Sequence, residues 1–289
     1  MIPLTRNDNR RSRIVGEILE FCRGPENTLR TAQADRAWAE PLVGFSRGDD
    51  PLYEAYKEYV GPFHWTPVEI FRRTFPDSDA EASELTVISW VLPQTSQTKH
   101  DNRNQKVYPA ESWARSRIYG EAFNCRLREH VVITLSDLGH ESVAPHLSPA
   151  WETTALSDYG YASTWSERHA AYASGLGTFG LCDGLITPRG KAVRVGSVVA
   201  RVQLPTTPRL YDGHQEFCLF MAEGTCGQCM DRCPVGAITE TGHDKETCER
   251  HLSRTREFVR KEYGFEGYGC GLCQTGVPCE SARPIGAHQ

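Results

Sequence analysis

The chain has 289 residues, 39% of them hydrophobic, with a net charge of −5 and an isoelectric point near 6.1. This length and composition allow a large buried core, in one large domain with a smaller one beside it. The acidic balance gives no overall attraction for polyanions, so neither nucleic acid nor an anionic membrane surface is an expected partner.

The first third of the chain predicts one helix and one buried strand. Apolar residues recur at helical spacing between positions 14 and 22, which predicts a helix over 10–23. Proline and glycine then punctuate the chain, so we expect residues 1–84 to form a helical and irregular N-terminal region. The run LTVISWVLP, Leu85–Pro93, is apolar, rich in β-formers and ended by proline, as is typical of a buried strand.

The middle of the chain predicts alternating helices and strands. A long apolar stripe predicts a helix over 112–138, ended by Gly139, and a second helix over 166–174 precedes a strand over 193–204. This alternation favours an α/β (α+β) layer fold for residues 85–210. The cysteine-rich remainder, residues 211–289, is expected to form an attached module.

Targeting signals give no reason to place the protein outside the cytoplasm. Arg10 and Arg11 form a pair like that of twin-arginine export signals, but the following SRIVGEILEF contains charged residues instead of an unbroken apolar stretch. No segment approaches the roughly 18 consecutive apolar residues that a membrane span needs. We therefore expect a cytoplasmic chain, in which clustered cysteines bind metal rather than form disulfides.

The cysteines are concentrated near the C-terminus. The stretch CLFMAEGTCGQCMDRCPVGAI has the spacing C-x7-C-x2-C-x3-C-P, and an approximate duplication follows it, ending in YGCGLCQTGVPC. Eight of the eleven cysteines belong to these two groups: Cys218, Cys226, Cys229, Cys233, Cys248, Cys270, Cys273 and Cys279.

This spacing matches the run with which bacterial ferredoxins bind [4Fe-4S] clusters, C-x2-C-x2-C-x3-C-P. The first cysteine has moved upstream, because Glu223 stands at its usual position and Cys218 replaces it. In the ferredoxin pattern the fourth cysteine ligates the other cluster. We therefore predict that one cluster takes Cys218, Cys226, Cys229 and Cys279, and that the other takes Cys233, Cys248, Cys270 and Cys273.

Structural zinc is the alternative interpretation, since zinc ribbons are also built from two C-x2-C pairs. Those pairs are commonly about 15–20 residues apart, whereas 40 residues separate Cys229 from Cys270. Zinc also leaves four further cysteines unexplained. The remaining Cys22, Cys125 and Cys182 are interpreted as small buried hydrophobic residues.

A glycine-rich stretch, SGLGTFGLCDGLITPRG, directly follows the helix predicted over 166–174. Gly175, Gly177 and Gly180 allow the backbone to approach a bulky ligand closely. A tight turn from helix to strand explains the same glycines, and the backbone argument leaves both readings open.

Several of these segments resemble a known group of proteins. ERHAAYASGLGTFG, the cysteine run ending in CPVGAI, DKETCERHL and YGCGLCQTGVPC together resemble the epoxyqueuosine reductases and the corrinoid reductive dehalogenases. WARSRIY also resembles the Y-A-R-G-R-D-Y segment of the epoxyqueuosine reductases. The resemblance implies a nitroreductase-like α/β domain that binds base-off cobalamin, beside a C-terminal bacterial-ferredoxin-like module with two clusters. The corrin contacts that it implies are Ser174, Gly175, Leu176, Gly177, Gly180, Arg115 and Arg117.

The resemblance also points to a proton donor. Tyr161 stands fourteen residues before Gly175, where the epoxyqueuosine reductases place an aspartate, and the dehalogenases are similar in using a tyrosine. A phenol has an ordinary pKa of about 10, so it can donate a proton at neutral pH. Tyr159 is the rival donor, and packing is the alternative role for either ring. Arg168, Arg189, Lys191 and Arg194 are candidate cations to stabilise the phenolate.

The resulting hypothesis is a corrinoid and iron–sulfur reductase. It would take electrons from an external donor such as ferredoxin or flavodoxin and reduce a small-molecule substrate. An organohalide and a modified nucleoside remain open as substrates. The alternatives are an iron–sulfur electron carrier without a corrinoid and a corrinoid-binding protein without turnover.

Overall fold

The computed structural model describes residues 6–154 and 160–284. Its helices are α1 (Arg6–Arg23), α2 (Leu52–Tyr59), α3 (Pro67–Thr74), α4 (Ser96–Arg103), α5 (Glu111–Arg115), α6 (Glu121–Asp137), α7 (Glu167–Ala173), α8 (Leu219–Glu223), α9 (Gln228–Asp231) and α10 (Lys245–Phe258). Its strands are β1 (Leu42–Arg47), β2 (Leu85–Pro93), β3 (Ser142–Val143), β4 (Thr153–Thr154), β5 (Ala162–Ser163), β6 (Thr178–Phe179), β7 (Leu185–Ile186), β8 (Val193–Arg201), β9 (Ile238–Thr239) and β10 (Gly242–His243). None of these helices is long and apolar enough to cross a membrane.

The main sheet has the strand order β1-β2-β8-β3, and each neighbouring pair is antiparallel. All nine residues of β2 are buried, which explains why its sequence is a continuous apolar run instead of an alternating one. Trp90 of β2 lies opposite Gly196 of β8. A Cβ at Gly196 would stand 2.6 Å from the indole, so this glycine makes room for the largest side chain of the strand.

A hydrophobic core covers each face of the sheet. One contains residues of α2, α3 and α7, together with Trp165. The other contains Ile14 and Ile18 of α1 and the apolar face of α6. The N-terminal region predicted for residues 1–84 therefore contributes β1 and α1 to the same sheet and core as residues 85–210. The boundary between these predicted domains stays a prediction.

The predicted elements are largely confirmed, with two differences in detail. The helix expected over 112–138 is continuous in space, but Ser116–Gly120 form a π-helical turn between α5 and α6. The strand expected over 193–204 ends at Arg201. After Arg201, the Thr86 hydroxyl donates to the carbonyl of Val202 and accepts from the N–H of Leu204. These side-chain hydrogen bonds replace the backbone hydrogen bonds of the sheet.

The cysteine-rich region consists of short helices, the β9–β10 hairpin and helix α10. A third hydrophobic core joins it to the segment after α7, because Leu181, Cys182 and Ile186 pack with Phe217 and Val277. Gly271, at φ +66°, lies directly against the indole of Trp113 in α5. The cysteines are therefore held against the larger part of the fold from two sides.

Candidate metal centre

The first predicted set of cysteines surrounds one small cavity. Cys218, Cys226, Cys229 and Cys279 all line it, together with Lys191 and a shell of apolar side chains. Three of these cysteines come from one short segment, but Cys279 lies 50 residues after Cys229 along the chain. The fold thus brings together the four thiols that the ferredoxin pattern groups.

The second predicted set is also close together in space. Cys270 interacts electrostatically with Cys248 and Cys233, and burial raises the pKa of its thiol to about 12. Cys273, which is partly buried, interacts with Cys270 in turn. The backbone N–H of Ala237 donates to Cys233 Sγ at 3.2 Å, which orients this sulfur.

Local structure explains why Cys218 can stand in for the cysteine missing at position 223. Cys218 is the residue before α8, its helix ends at Gly224 in the left-handed conformation, and the chain then turns back to Cys226. The side chain of Cys218 is buried, whereas Glu223 is exposed. One helical turn therefore replaces the usual short spacing.

Two polar side chains, Arg232 of the module and Asn102 from outside it, hold the second cysteine loop. The Arg232 guanidinium donates to the carbonyl of Thr275 at 2.9 Å and to that of Leu272 at 3.3 Å. The Asn102 amide donates to the carbonyl of Cys270 at 3.2 Å. These contacts place the loop independently of any bound group.

Lys191 is the unexpected member of the centre. Its side chain is 3% exposed, and its Nζ donates to Cys182 Sγ at 3.2 Å. Burial lowers the pKa of Lys191, but the surrounding cysteines, led by Cys182 and Cys279, outweigh burial and raise the net pKa above its ordinary value. Cys182 is buried in a hydrophobic core, as expected, but its sulfur also contacts this ammonium and interacts with Cys229 and Cys273.

A buried ammonium requires negative charge nearby, since burying an unpaired ion is costly. Thiolate-ligated iron–sulfur clusters supply such charge, so the donor set and its lysine fit anionic clusters. Within residues 6–154 and 160–284, no three His, Cys, Asp or Glu side chains converge so closely that they could hold a single metal ion.

The glycine turn is packed against the protein itself. A Cβ at Gly177 would overlap the carbonyl oxygen of Ile186, and one at Gly175, where φ is +75°, would stand 2.8 Å from the carbonyl oxygen of Pro208. Ser174 is fully buried and hydrogen-bonds Ser46 and Ser89. The tight-turn reading accounts for these contacts, because neighbouring chain segments occupy the space beside both glycines.

The remaining residues implied as corrin contacts lie in different surroundings. Leu176 is buried in the core beside α7, and the N–H of Gly180 donates to the carbonyl of Gly184 at 2.8 Å. Arg115 pairs with Glu111 at 2.7 Å. Arg117 lies over the ring of Tyr268, 4.8 Å from its centroid, and burial lowers its pKa to about 10. A corrin-binding role for all seven residues stays a prediction.

A polar cavity of about 870 Å³ lies elsewhere, between the 29–36 loop, α4 and α5. Arg115 is part of its wall, with Arg36, Asp101 and Ser112. Of the seven implied corrin contacts, Arg115 is the one that borders this cavity. The cavity was not expected from the sequence, because residues far apart in the chain form its wall.

Tyr161 lies at the surface beside the cysteine-rich module. Its side chain is 45% exposed, and the Nζ of Lys245 donates to its carbonyl oxygen at 3.3 Å. Lys245 is also 3.8 Å from Asp183, which in turn contacts His243. Tyr159, the rival donor, lies outside the described residues.

Three of the four cations predicted to assist a tyrosine have other partners. Lys191 is buried beside Cys182. Arg194 pairs with Glu121, and Arg189 is 3.9 Å from Glu40. Lys245 was missed, because its approach to the tyrosine depends on contact between two distant parts of the chain.

A network of ion pairs on one face of the sheet includes Glu167, the first residue of α7. The Glu167 side chain is 13% exposed, and it accepts from Arg128 at 3.1 Å and from Ser197 at 2.5 Å. Arg128 also pairs with Glu121 at 3.1 Å. Burial raises the pKa of Glu121, but Arg194 and Arg128 outweigh it and bring the value down to about 2.

Comparison with known proteins first gives sequence relatives. No protein-family model matches the chain. An epoxyqueuosine reductase of Bacillus anthracis is 33% identical over 119 residues, covering 39% of this chain and 29% of that protein. An epoxyqueuosine reductase of Bacillus subtilis is 27% identical over 130 residues, covering 43% of this chain and 31% of that protein. The match thus spans less than a third of the length of these relatives.

Solved structures extend the likeness to almost the whole chain. A selenomethionine-labelled epoxyqueuosine reductase matches 96% of this chain and 68% of its own, with a TM-score of 0.50 and 18% identity. A catabolic reductive dehalogenase in complex with 3-bromo-4-hydroxybenzoic acid matches 95% of this chain and 37% of its own, with a TM-score of 0.51 and 15% identity. Part of the chain is therefore similar in sequence to the epoxyqueuosine reductases, and its fold is similar to that of the epoxyqueuosine reductases and the reductive dehalogenases. At these identities the structures show the shared mixed α/β fold.

Proposed function

We propose that the chain is an iron–sulfur reductase of the kind found among its relatives. Its C-terminal module would be bacterial-ferredoxin-like, with two [4Fe-4S] clusters held by the two sets of four cysteines. The observation that carries this proposal is the cavity lined by Cys218, Cys226, Cys229 and Cys279, with the buried ammonium of Lys191 in its wall. Four thiols around one cavity and an internal cation suit an anionic cluster.

The chain's own residues would hold the clusters, exclude water from them and supply a proton. The apolar shell of Ile186, Phe220 and Val277 keeps solvent from the first set of cysteines. When bound, the clusters supply one-electron transfer. Tyr161, at the edge of the module, is proposed to donate a proton to the reduced substrate, while Lys245 holds its backbone.

A base-off cobalamin is proposed as the electron acceptor on the strength of the relationship. The glycine turn does not form an open cradle for it, because a Cβ at Gly175 or Gly177 would meet backbone. The residues of this turn therefore do not account for corrin binding by themselves.

The substrate is proposed to be a small organic molecule or a modified nucleoside. One solved relative was crystallised with 3-bromo-4-hydroxybenzoic acid, and another with a tRNA-Tyr epoxyqueuosine-modified stem loop. The second complex is at odds with the sequence-based expectation that nucleic acid is not a partner. Both substrate classes therefore belong in a turnover assay, with reduced ferredoxin or flavodoxin as the electron donor.

The test is anaerobic reconstitution with iron and sulfide, followed by titration with cobalamin in a calorimeter. Clusters, saturable cobalamin binding and substrate reduction support the whole proposal. Clusters without cobalamin binding would replace it with an electron carrier. Cobalamin binding without turnover of either substrate class would indicate a corrinoid-binding protein that is not a reductase.

A further inference from the structure

Lys191 lies between the two predicted sets of cluster ligands. Its backbone N–H donates to the carbonyl of Cys279 at 2.8 Å, and its side chain lines the cavity of the first set. Its ammonium also interacts with Cys273, which belongs to the second set. One buried cation therefore faces both sets.

Among the described residues that line the cavity of the first set, Lys191 is the one with a positively charged side chain. A four-iron cluster with four thiolate ligands is an anion, and it gains one more negative charge on reduction. A nearby cation stabilises the more negative state, and low solvent access strengthens that effect. Net charge and hydrogen bonds to the sulfurs are two of the factors that set cluster potentials.

We propose that the buried ammonium of Lys191 is an internal counter-cation that raises the reduction potentials of both clusters. This inference rests on the proposed function, because it needs the clusters to be present. In this role Lys191 does not touch the substrate. Its charge acts on the clusters through their sulfur ligands. Cys182 holds the ammonium in place by accepting its hydrogen bond at 3.2 Å.

The test is an anaerobic redox titration of the cluster-loaded protein, in which electron paramagnetic resonance measures the reduced clusters at each potential. Lys191→Met removes the charge and keeps a chain of similar length. We expect its clusters to be harder to reduce, with the reduction equilibrium constant lowered tenfold or more, which is about 59 mV for a one-electron couple. The matched control is Lys261→Met, which removes the same charge from an exposed position on the same module. The reduction equilibrium constants of its clusters should stay within twofold of those of the wild type.

Two further variants separate charge from packing. Cys182→Ala removes the hydrogen-bond acceptor but keeps the cation, so its shift should be smaller than that of Lys191→Met. If Lys191→Met does not accumulate as folded protein, Lys191→Gln and Lys191→Arg provide the same comparison, because they differ in charge. The neutral variant should then have the lower potentials.

The inference and the function on which it rests fail in different ways. If the wild-type protein bound no iron and sulfide after reconstitution, the proposed function would be refuted. Full cluster content with potentials unchanged in Lys191→Met, or in both Lys191→Gln and Lys191→Arg, would overturn the role of Lys191 alone.

Discussion

Replacing Arg128 by methionine tests the buried ion network that joins α6, α7 and β8. The Arg128 side chain is 1% exposed and pairs with Glu121 and Glu167, whose side chains are 17% and 13% exposed. Arg128→Met leaves Arg194 as the remaining arginine paired with Glu121, while Glu167 loses its ion pair. Removing one partner of a buried pair typically costs about 3–5 kcal/mol, because the other charge stays buried and uncompensated.

The matched control lies two residues away on the same helix. Arg126 pairs with Glu26 at 2.7 Å, but the side chains are 36% and 54% exposed. Exposed pairs contribute about 0–1 kcal/mol, so Arg126→Met should be nearly silent. At about 2–4 °C per kcal/mol for large domains, Arg128→Met should lower the melting temperature by about 6–20 °C in a calorimetric scan. Equal losses in the two variants would refute the network as the source of stability.

The pH dependence of Arg128→Met gives a second check. Burial already raises the pKa of Glu167, and without Arg128 it should rise further above the unfolded-state value. The folded variant then binds more protons than the unfolded chain, so its stability falls as pH rises. The variant should therefore regain stability when the pH is lowered through the raised pKa of Glu167. In the wild type Glu121 acts in the opposite direction, because its pKa of about 2 lies below the unfolded value and its contribution is lost in acid.

Three other substitutions test separate parts of the account. Gly177→Ala should destabilise the cofactor-free protein by about 1–3 kcal/mol, because its Cβ would overlap the Ile186 carbonyl; Gly16→Ala, with nothing within 4 Å of the added Cβ, should be neutral or stabilising, and equal melting temperatures would contradict the packing argument. Cys218→Ala should lower the bound iron by about half, since it removes a ligand of one of two clusters, and unchanged iron would remove Cys218 from the ligand set. Tyr161→Phe should keep the clusters and lower turnover by about 10²–10⁴-fold, whereas full activity would leave Tyr159 or water as the proton source.

The sequence predicted those features that depend on residues close together in the chain. The strand Leu85–Pro93 was found at its observed bounds because a strand buried on both faces is mostly apolar along its whole length. The first α-helix was also predicted, because its apolar residues repeat with the helical period. The grouping of Cys279 with Cys218 came from a spacing rule, and the shared cavity agrees with it.

Contacts between residues far apart in the chain could not be predicted from the sequence. Glu167 looks like a surface residue at the start of a helix, and its burial depends on Arg128, which lies 39 residues away. Lys191 looks like an ordinary surface lysine until the chain brings Cys279 against it. Likewise, the glycine turn suits a ligand as well as a turn, until β7 and the segment around Pro208 occupy the adjacent space.

The central claim is that eight cysteines hold two four-iron clusters, and metal and sulfide analysis after anaerobic purification tests it most directly. The account predicts about eight iron atoms and about eight acid-labile sulfides per chain. Stoichiometric zinc without sulfide would contradict it.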